Sequence, residues 1–302
     1  MRVTNQSLSQ QVTDGIQLAF RRLASVQESA TTGKRINRLS DDALGAIQAL
    51  DLRSFSTSLD QYGKNIDSAS PFLEQTDAAL ADVSGVIDRA KNLAVALAND
   101  SHSAADRLQG AAEVQQTLQQ LLSAANTKLD GRYIFAGFKN DQAPFTESGG
   151  GVIYNGDNGE ITTASGPSTA LTVNLPGSKV LQGVGVTGGV DLFDVLGDLQ
   201  TALTANDVTG ANGVNTQIGR LDRALEQVLS SRTEVGARLN TAQAAKDSLD
   251  IMQVRAKSLR SQVEDVDAIQ VYSDLARQQY AFEAALQSAS RVIQPSLLDY
   301  LR

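Results

Sequence analysis

A few side chains in this sequence are of types that could bind a metal ion or take part in acid–base catalysis. The only histidine, His102, lies in the polar stretch NDSHSAAD, and the chain has no cysteine. A metal or catalytic site needs several such groups, so a histidine with neither a second histidine nor a cysteine is expected to have no such role. The sequence therefore predicts no metal, no cofactor and no enzyme activity.

Oxygen ligands for calcium are a second possibility, at Asp157, Asn158 and Glu160. The D-x-N-x-D-G spacing of a calcium loop is absent, so these residues are interpreted as turn residues. The overlapping patch SGGGVIYNGDNG could suggest a phosphate loop, but it has no Gly-Lys-Ser/Thr ending. Flexible hairpin loops are the preferred interpretation.

Two adjacent carboxylates, Asp41 and Asp42, close the stretch TTGKRINRLSDDA and could form a paired acid–base site. A joint between two helices explains the stretch better. Gly33 and Asn37 tolerate the positive φ that ends a helix. Ser40 is expected to cap the next helix, with both aspartates in its first turn, where the helix dipole favours negative charge.

Two arginines of this joint, Arg35 and Arg38, have two possible roles. They are either solvated loop charges or contacts in an interface with another protein. The sequence alone favours neither role.

Apolar residues at spacings of three and four predict long amphipathic helices that pack against one another. In the run after the joint, Pro71 is expected to kink or restart the helix, with Ser70 as a cap. In the last run the phase shifts after Val266, and Pro295 is expected to stop the helix. The runs cover residues 12–30, 52–97, 108–129 and 218–293.

Apolar stripes this narrow must pack against another helix. The simplest pairing joins the helix after the joint to the helix after residue 214. We therefore expect a mainly α fold: a long antiparallel coiled-coil bundle made of N- and C-terminal segments, with a small β-rich inserted domain. The expected domains are a terminal helical assembly domain (1–42 and 260–302), a coiled-coil rod (43–130 and 190–259) and a β-rich outer insert (131–189).

The insert has a different sequence pattern. GRYIFAGF is aromatic and strand-like, and VIYNGDNGEITTA places Asn-Gly and Asp-Asn-Gly turn signals between short alternating runs. A short helix is expected over residues 190–204. Five aromatic residues lie close enough in sequence to form a small β core: Tyr133, Phe135, Phe138, Phe145 and Tyr154.

Charge and hydropathy limit the partners. The net charge of −8 includes −5 over residues 51–130 and −5 over 131–210, which argues against a nucleic-acid partner. No run of 18 apolar residues is present, so no membrane span is expected. The first residues contain no apolar signal segment, and by these rules alone the protein would be cytoplasmic.

Both ends of the chain differ from the middle. Residues 5–30 are rich in Ser, Gln and Thr around a thin apolar stripe, and are expected to be largely disordered alone. The tail VIQPSLLDYLR offers four large apolar side chains, but ordering it costs about as much as their burial yields. Either both ends dock on their own coiled coil, or, as we prefer, they fold when the subunit polymerises.

Two stretches carry a family resemblance. GKRINRLSDDALGAI and the closing helix DLARQQYAFEAALQSASRVIQPSLLDYLR resemble the terminal signatures of flagellin-type axial proteins. Within that family the start MRVTNQSL, the exit LDGRYIFAGFKNDQAPF and the end PSLLDYLR are most similar to proteins of the hook–filament junction. The resemblance implies a structural adaptor of the bacterial flagellum. Two alternatives are flagellin itself and, from a different class, a cytoplasmic coiled-coil binding module.

The resemblance also implies partners and a location. The chain would be a monomer in solution and a homo-oligomeric ring in the flagellum, between a hook-side junction protein and flagellin. It would be extracellular, exported unfolded by the flagellar type III system, which overrules the cytoplasmic expectation. An export chaperone would hold the C-terminal helix, about residues 263–302.

The candidate assembly residues follow from the terminal stripes and this resemblance. On the N-terminal side they are Val12, Ile16, Leu23, Val26, Arg35 and Arg38. On the C-terminal side, shared between assembly and chaperone, they are Leu275, Phe282, Leu286, Ile293, Leu297, Leu298, Tyr300 and Leu301.

Overall fold

The computed structural model describes residues 5–99 and 101–300, with side chains over 9–99 and 101–290. Its contacts divide the chain into a terminal unit, Met1–Ser58 with Ile251–Arg302, and a central unit, Leu59–Asp250. The helices are α1 (Asn5–Thr32), α2 (Ala43–Leu97), α3 (Ala104–Ala125), α4 (Gly177–Leu181), α5 (Leu192–Thr204), α6 (Val214–Glu264) and α7 (Ala268–Tyr300). The strands are β1 (Lys128–Leu129), β2 (Arg132–Tyr133), β3 (Phe145–Ser148), β4 (Gly151–Tyr154), β5 (Thr162–Ala164) and β6 (Ala170–Thr172).

Two heptad stripes run through the core of the central unit. Every seventh residue of α2 is buried, at Leu59, Ile66, Leu73, Leu80, Ile87 and Ala94. The matching residues of α6 are Leu221, Val228, Val235, Ala242 and Leu249. A seven-residue apolar repeat is the pattern of helices that pack along their whole length.

Ion pairs between α2 and α6 show that the two helices are antiparallel. Asp67 pairs with Lys246, Asp77 with Arg232 at 3.1 Å, and Lys91 with Asp222 at 2.5 Å. Positions that rise along α2 thus pair with positions that fall along α6. The predicted fold class, long antiparallel helices from both halves of the chain with a small β portion, is confirmed.

Pro71 does not restart the second helix, which was one of the two effects expected of it. α2 is continuous past it, and Ser70 donates its hydroxyl to the carbonyl of Ile66 at 3.0 Å instead of capping a new helix. A proline removes one hydrogen bond from a helix, at a cost of about 3 kcal/mol, and a long packed stripe outweighs that cost. The heptad pattern, not the proline, determines the length of α2.

The third apolar run is not helical to its end. α3 ends at Ala125, and Leu129 belongs to a two-residue strand that pairs with Arg132. Asp130 and Gly131 have φ values of 50° and 80° and form the tight turn between β1 and β2. Asp-Gly with positive φ at both positions favours a hairpin, so this turn closes a hairpin instead of ending the helix.

The strands in and next to the insert form three separate two-stranded antiparallel sheets, the first of which includes β1, just before residue 131. β3 and β4 are joined through Gly149 and Gly150, both at positive φ, as expected for hairpin loops in this patch. The Asn155-Gly156 signal does not close a hairpin, because β4 pairs with β3 and β5 pairs with β6. The short helix α4 was not predicted.

The stretch GRYIFAGF is mostly not a strand. Only Arg132 and Tyr133 lie in β2, while Ile134, Phe135 and Ala136 are buried outside any strand. Their apolar side chains fill the core of the central unit, which stabilises the irregular backbone. A run of apolar residues alone does not distinguish a buried turn from a strand.

The aromatic core of the insert includes three of the five expected residues, Phe135, Phe145 and Tyr154, and one helical residue, Phe193. The ring of Phe145 lies 5.0 Å from that of Tyr154 and 5.1 Å from that of Phe193 in α5. The hydroxyl of Tyr154 donates to the carbonyls of Phe135 and Asp157, and burial raises its pKa to about 12. Tyr133 is half-buried and lies outside the buried cluster, and Phe138 is exposed, so both residues were wrongly included in the core.

The helix expected over residues 190–204 is α5. Asp191 caps it by accepting hydrogen bonds from the backbone N–H groups of Phe193 and Asp194. Burial, together with the charge of Asp194, raises the pKa of Asp191 above its usual value.

The terminal unit contains α1 and α7, which pack against each other. α7 extends to Tyr300 and so passes Pro295, where the helix was expected to stop. As at Pro71, loss of one hydrogen bond does not require the helix to end. No helix in the described part of the chain is both long and apolar enough to cross a membrane.

Candidate assembly interface

The joint between α1 and α2 is held by two aspartates with different roles. Asp42 accepts a hydrogen bond from the N–H of Gly45 at 2.9 Å and is the N-cap of α2, the role expected of Ser40. That bond, with one from Arg35, lowers the pKa of Asp42. Asp41 accepts from the N–H groups of Asn37 and Arg38, so it shapes the loop before the helix.

Only one of the two expected positive-φ residues in the joint has that conformation. Gly33 has φ of 69°, but Asn37 has an ordinary negative φ. The side chain of Asn37 accepts a hydrogen bond from the Thr32 hydroxyl and donates one to the carbonyl of Lys34. Asn37 therefore stabilises the end of α1 through its amide group and not through a left-handed backbone.

The joint is fastened to the connection between α6 and α7, about 230 residues away in sequence. Arg35 N–H donates to the carbonyl of Glu264 at 2.7 Å, and Val266 N–H donates to the carbonyl of Gly33 at 3.1 Å. Lys34 and Asp265 form a β-bridge between the same two segments. The phase shift seen after Val266 is thus the break between α6 and α7, held in place by the joint.

Glu264 is the central side chain of this contact. It is only 2% exposed, and its Oε1 atom forms ion pairs with both Lys34 and Arg53. Burial raises the pKa of Glu264, but the hydrogen bonds from Lys34 and Arg53 outweigh burial and leave the pKa below its usual value. Glu264 was not among the residues predicted from the sequence, and the available signal was its position two residues before the phase shift at Val266.

The two arginines of the joint both form ion pairs within the chain. Arg35 donates to Asp42 Oδ2 and to the carbonyl of Val263, each at 3.0 Å, and Arg38 pairs with Glu28 at 3.0 Å. The guanidinium groups are more than half exposed, so the pairs contribute little stability. An additional role in an interface stays a prediction.

The four apolar N-terminal candidate residues form the half-buried face of α1. Val12, Ile16, Leu23 and Val26 are all half-buried, whereas their neighbours at other helical angles are exposed. Among the residues at the α1–α7 contact, the rings of Phe20 and Phe282 lie 5.9 Å apart. In the folded chain this stripe is covered by the other end of the same chain.

The C-terminal candidate residues divide into two groups. Leu275 and Phe282 are half-buried and Leu286 is 45% exposed. The other five lie outside the residues whose side chains are described: Ile293, Leu297, Leu298, Tyr300 and Leu301. Their role in assembly or chaperone binding stays a prediction.

Large apolar side chains are exposed mainly in the terminal unit. Of 21 such residues among the described side chains, 15 belong to this unit. They are Leu18, Phe20, Leu39, Leu44, Ile47, Leu50, Phe55, Ile251, Met252, Val254, Leu259, Ile269, Tyr272, Tyr280 and Leu286. An apolar surface of this extent is typical of a protein that binds other proteins.

The residues considered for chemistry lie elsewhere and have local roles. His102 lies in the connection before α3, where Ser103 and Asp106 form a capping box. Asp157 accepts hydrogen bonds from the N–H groups of Phe138 and Gly159, as expected of a turn residue. Among the side chains that the structure describes, residues 9–99 and 101–290, no group of three or more acidic or histidine residues is arranged to hold a metal ion.

Comparison with known proteins identifies the family. The bacterial flagellin N-terminal helical region matches residues 3–140, and the bacterial flagellin C-terminal helical region matches residues 218–301. Flagellar hook-associated protein 3 of Salmonella typhimurium strain LT2 is 28% identical over 94% of this chain and 95% of its own length. Flagellin FlaB1 of Treponema pallidum is 25% identical over 91% of each chain.

A solved structure has the same fold. The crystal structure of the flagellar junction protein FlgL from Legionella pneumophila superposes with a TM-score of 0.60 at 17% identity, over 72% of this chain and 99% of that one. The relatives are structural proteins of the flagellum. The family regions match most of the chain and include both the joint and the paired terminal helices. The chain therefore belongs to the bacterial flagellin family.

Proposed function

We propose that this chain is a structural subunit of the bacterial flagellum that acts as an adaptor at the junction between hook and filament. In this proposal the subunit assembles through the terminal unit, which brings both ends of the chain together. It binds neighbouring subunits and catalyses no reaction.

The observation that carries the assembly part is the apolar surface of the terminal unit. Fifteen large apolar side chains are exposed there, while the central unit buries its heptad stripes. Burial of such side chains contributes about 1.5–3 kcal/mol each, so contacts between several copies would stabilise an assembly strongly. In a monomer these side chains stay exposed to water and contribute no free energy of burial.

The junction role is supported by similarity along the whole chain. Hook-associated protein 3 matches over 94% of this chain, and one protein with the same fold is a flagellar junction protein. A second candidate is flagellin, since the Treponema flagellin also matches over 91% of the chain. Membership of the flagellin family gives no support to the third possibility, a cytoplasmic coiled-coil binding module.

The finer parts of the proposal concern partners and export. The subunits form a ring between a hook-side junction protein and flagellin, and an export chaperone binds the C-terminal helix. The protein leaves the cell unfolded through the flagellar type III system and reaches the extracellular flagellum. We also propose the domain boundaries given above, with terminal helices that order fully on assembly.

Self-assembly of the purified protein separates the two candidates. Concentrated ammonium sulfate strengthens apolar burial and so promotes any filament that the subunit forms alone. For a junction protein we expect monomers or short irregular aggregates in negative-stain electron microscopy. Long uniform filaments would show that the protein is a flagellin, and a known flagellin treated in parallel serves as the positive control.

Incorporation into flagella tests the junction itself. A strain that lacks this protein should make hooks without attached filaments, and a plasmid copy of the gene should restore the filaments. Normal filaments in the deletion strain would rule out a necessary junction role.

A further inference from the structure

Asparagine is followed directly by glycine at three places in the chain: Asn155-Gly156, Asn158-Gly159 and Asn212-Gly213. Such a pair can react with itself. Because glycine has no Cβ, its backbone nitrogen can approach the side-chain carbonyl carbon of the preceding asparagine and form a five-membered imide. All three asparagines are exposed, so exposure does not distinguish them.

The hydrogen bonding of the glycine N–H group does distinguish the three pairs. The nitrogen must lose its proton and turn toward the asparagine side chain before it can attack. An acceptor bound to that N–H opposes both steps, since it stabilises the protonated form and fixes the peptide plane. The reactive pair is therefore expected where the glycine N–H has no acceptor.

At Asn158 both reacting groups are held. The N–H of Gly159 donates to Asp157 Oδ1 at 3.0 Å. The side-chain oxygen of Asn158 accepts a hydrogen bond from the hydroxyl of Ser178, which is buried. This pair is expected to react slowly.

At Asn212 the nitrogen is held by the backbone. The N–H of Gly213 donates to the carbonyl of Gly210 at 2.9 Å, and Gly213 is buried. The carbonyl of Asn212 also accepts a hydrogen bond from the side chain of Gln217 at 3.2 Å. This pair is likewise expected to react slowly.

At Asn155 the nitrogen is available. Among the residues that the structure describes, the N–H of Gly156 donates no hydrogen bond. The Asn155 side chain donates through Nδ2 to the hydroxyl of Thr146 at 2.8 Å, and its Oδ1 atom accepts no hydrogen bond from the described residues. The amino group is thus engaged, but the carbonyl carbon beside it remains open to attack.

The fold also requires glycine at position 156. A Cβ there would lie 2.5 Å from the ring of Tyr154, closer than such atoms can approach. A larger residue, whose side chain would hinder attack on Asn155, is therefore not tolerated at this position.

We propose that Asn155 is a site of spontaneous deamidation, with water as the only co-reactant. The Gly156 nitrogen bonds to Asn155 Cγ, the bond from Cγ to Nδ2 breaks, and ammonia leaves with the proton of the Gly156 N–H. Water then adds to either carbonyl of the imide and opens the ring. The product is aspartate or isoaspartate, and no group is oxidised or reduced.

The modification changes the end of the β3–β4 hairpin. Tyr154 pairs with Phe145 there, and the N–H of Asn155 donates to the carbonyl of Pro144 at 2.7 Å. Either product places a new carboxylate two residues from Asp157, and isoaspartate also adds one methylene to the main chain. The inference does not depend on the proposed function.

Peptide mapping of the full-length protein tests the site. The folded protein is kept at mildly alkaline pH and body temperature for several weeks, and samples are analysed by mass spectrometry. Asn155 and Asn158 lie in one tryptic peptide, so fragment ions are needed to assign the site. We expect Asn155 to convert about tenfold faster than Asn158 and Asn212, the factor for one retained hydrogen bond.

The same measurement in concentrated guanidinium chloride is the control for structure. Unfolding removes the hydrogen bonds of Gly159 and Gly213, so the three asparagines should then react at similar rates. Asn155→Gln in the folded protein should abolish the fast reaction, because the ring it would form has six members, and should leave the other two sites slow.

Three results would overturn the inference. The first is equal rates at the three sites in the folded protein, and the second is a faster reaction at Asn158 or Asn212. The third is a lead of Asn155 that persists unchanged in guanidinium chloride, because the preference would then belong to the local sequence and not to the fold.

Discussion

At the level of single residues, the most consequential side chain is Glu264. It joins the connection after α6 to the joint after α1 by pairing with Lys34 and, on α2, with Arg53. Replacing Glu264 would break both ion pairs at once and so remove the side-chain link between these segments. Changes at Glu264 should therefore loosen both connections together.

Glu264→Gln should lower the thermal stability of the terminal unit at neutral pH and remove part of its pH dependence. The folded pKa of Glu264 lies below its unfolded value, so its stabilisation is complete above the unfolded pKa, about 4.3, and is lost as the pH falls through the folded pKa. The difference in melting temperature between wild type and variant should therefore shrink from pH 6 to pH 3. Circular dichroism melts measure this difference.

The matched control is Glu283→Gln, which makes the same change at an exposed position of α7. It should melt like the wild type at every pH. A Glu264→Gln difference that stays constant from pH 6 to pH 3 would contradict the ion-pair role.

The second prediction concerns Asp191, whose pKa is shifted in the opposite direction from that of Glu264. Its pKa is raised by burial and by Asp194, so its stability contribution is largest at low pH and is lost as the pH rises through the folded pKa. Asp191→Asn keeps an N-cap acceptor without the buried charge and should raise the melting temperature at pH 7, with a gain that disappears below pH 4. Thermal melts across this range test it.

Asp191→Ala is the comparison for the cap itself. It removes the acceptor for Phe193 and Asp194 N–H and should cost about 1 kcal/mol. If the asparagine variant is as unstable as the alanine variant, the carboxylate charge is needed and the prediction fails.

At the level of the elements, α2 shows how packing overrides local propensity. Pro71 leaves the carbonyl of Asp67 without its usual backbone donor, yet the helix is continuous because the heptad stripe on both sides is buried. The proline is itself exposed, so its ring contributes little to the core. The proline therefore lowers the stability of the helix.

Pro71→Ala should therefore stabilise the protein, by about 1–3 kcal/mol, because it restores one backbone hydrogen bond and removes a steric clash. Urea unfolding followed by circular dichroism measures the change. Ser68→Ala, an exposed change in the preceding turn, is the control and should change stability by less than about 0.5 kcal/mol. A Pro71→Ala variant no more stable than this control would show that the proline is favourable here.

At the level of the whole molecule, the two units have different surfaces. The central unit buries its apolar stripes, whereas the terminal unit leaves much of its apolar surface exposed. The proposed export chaperone would cover this exposed apolar surface before assembly. Leu286 lies on that surface, 45% exposed.

Leu286→Asp should abolish binding of the export chaperone and leave the rod over residues 52–259 folded. A charge at the centre of an apolar contact is costly to bury, while at an exposed position it does little to the free chain. Isothermal titration calorimetry measures binding, and circular dichroism measures folding. Leu229→Asp, at an equally exposed position of the central unit, is the control; unchanged binding by Leu286→Asp would refute the mapping.

Much of this architecture was predictable from local patterns. The heptad spacing of Leu59 to Ala94 and of Leu221 to Leu249 placed the long helices and their pairing. Gly33 and the carboxylates after it located the joint, although Asp42 and not Ser40 proved to be the cap. These features depend on residues within a few turns of each other, where spacing alone determines which side chains share a face.

Other features were not predictable because they depend on partners far away in sequence. Glu264 became important only when the fold brought it to Lys34 and Arg53, and its neighbour Val263 meets Arg35 across 228 positions. The Asn155-Gly156 turn did not make a hairpin because the strands around it have other partners. Ile134 to Ala136 became a buried turn because the surrounding helices leave an apolar space there.

The sequence by itself determined the helices, their pairing, the joint and the family, since repeat spacing and terminal motifs are properties of a one-dimensional pattern. Only the tertiary structure decided which residues fasten the joint and which apolar side chains stay exposed. The physical reason is that burial and ion pairing depend on distances in space, which the linear order does not contain.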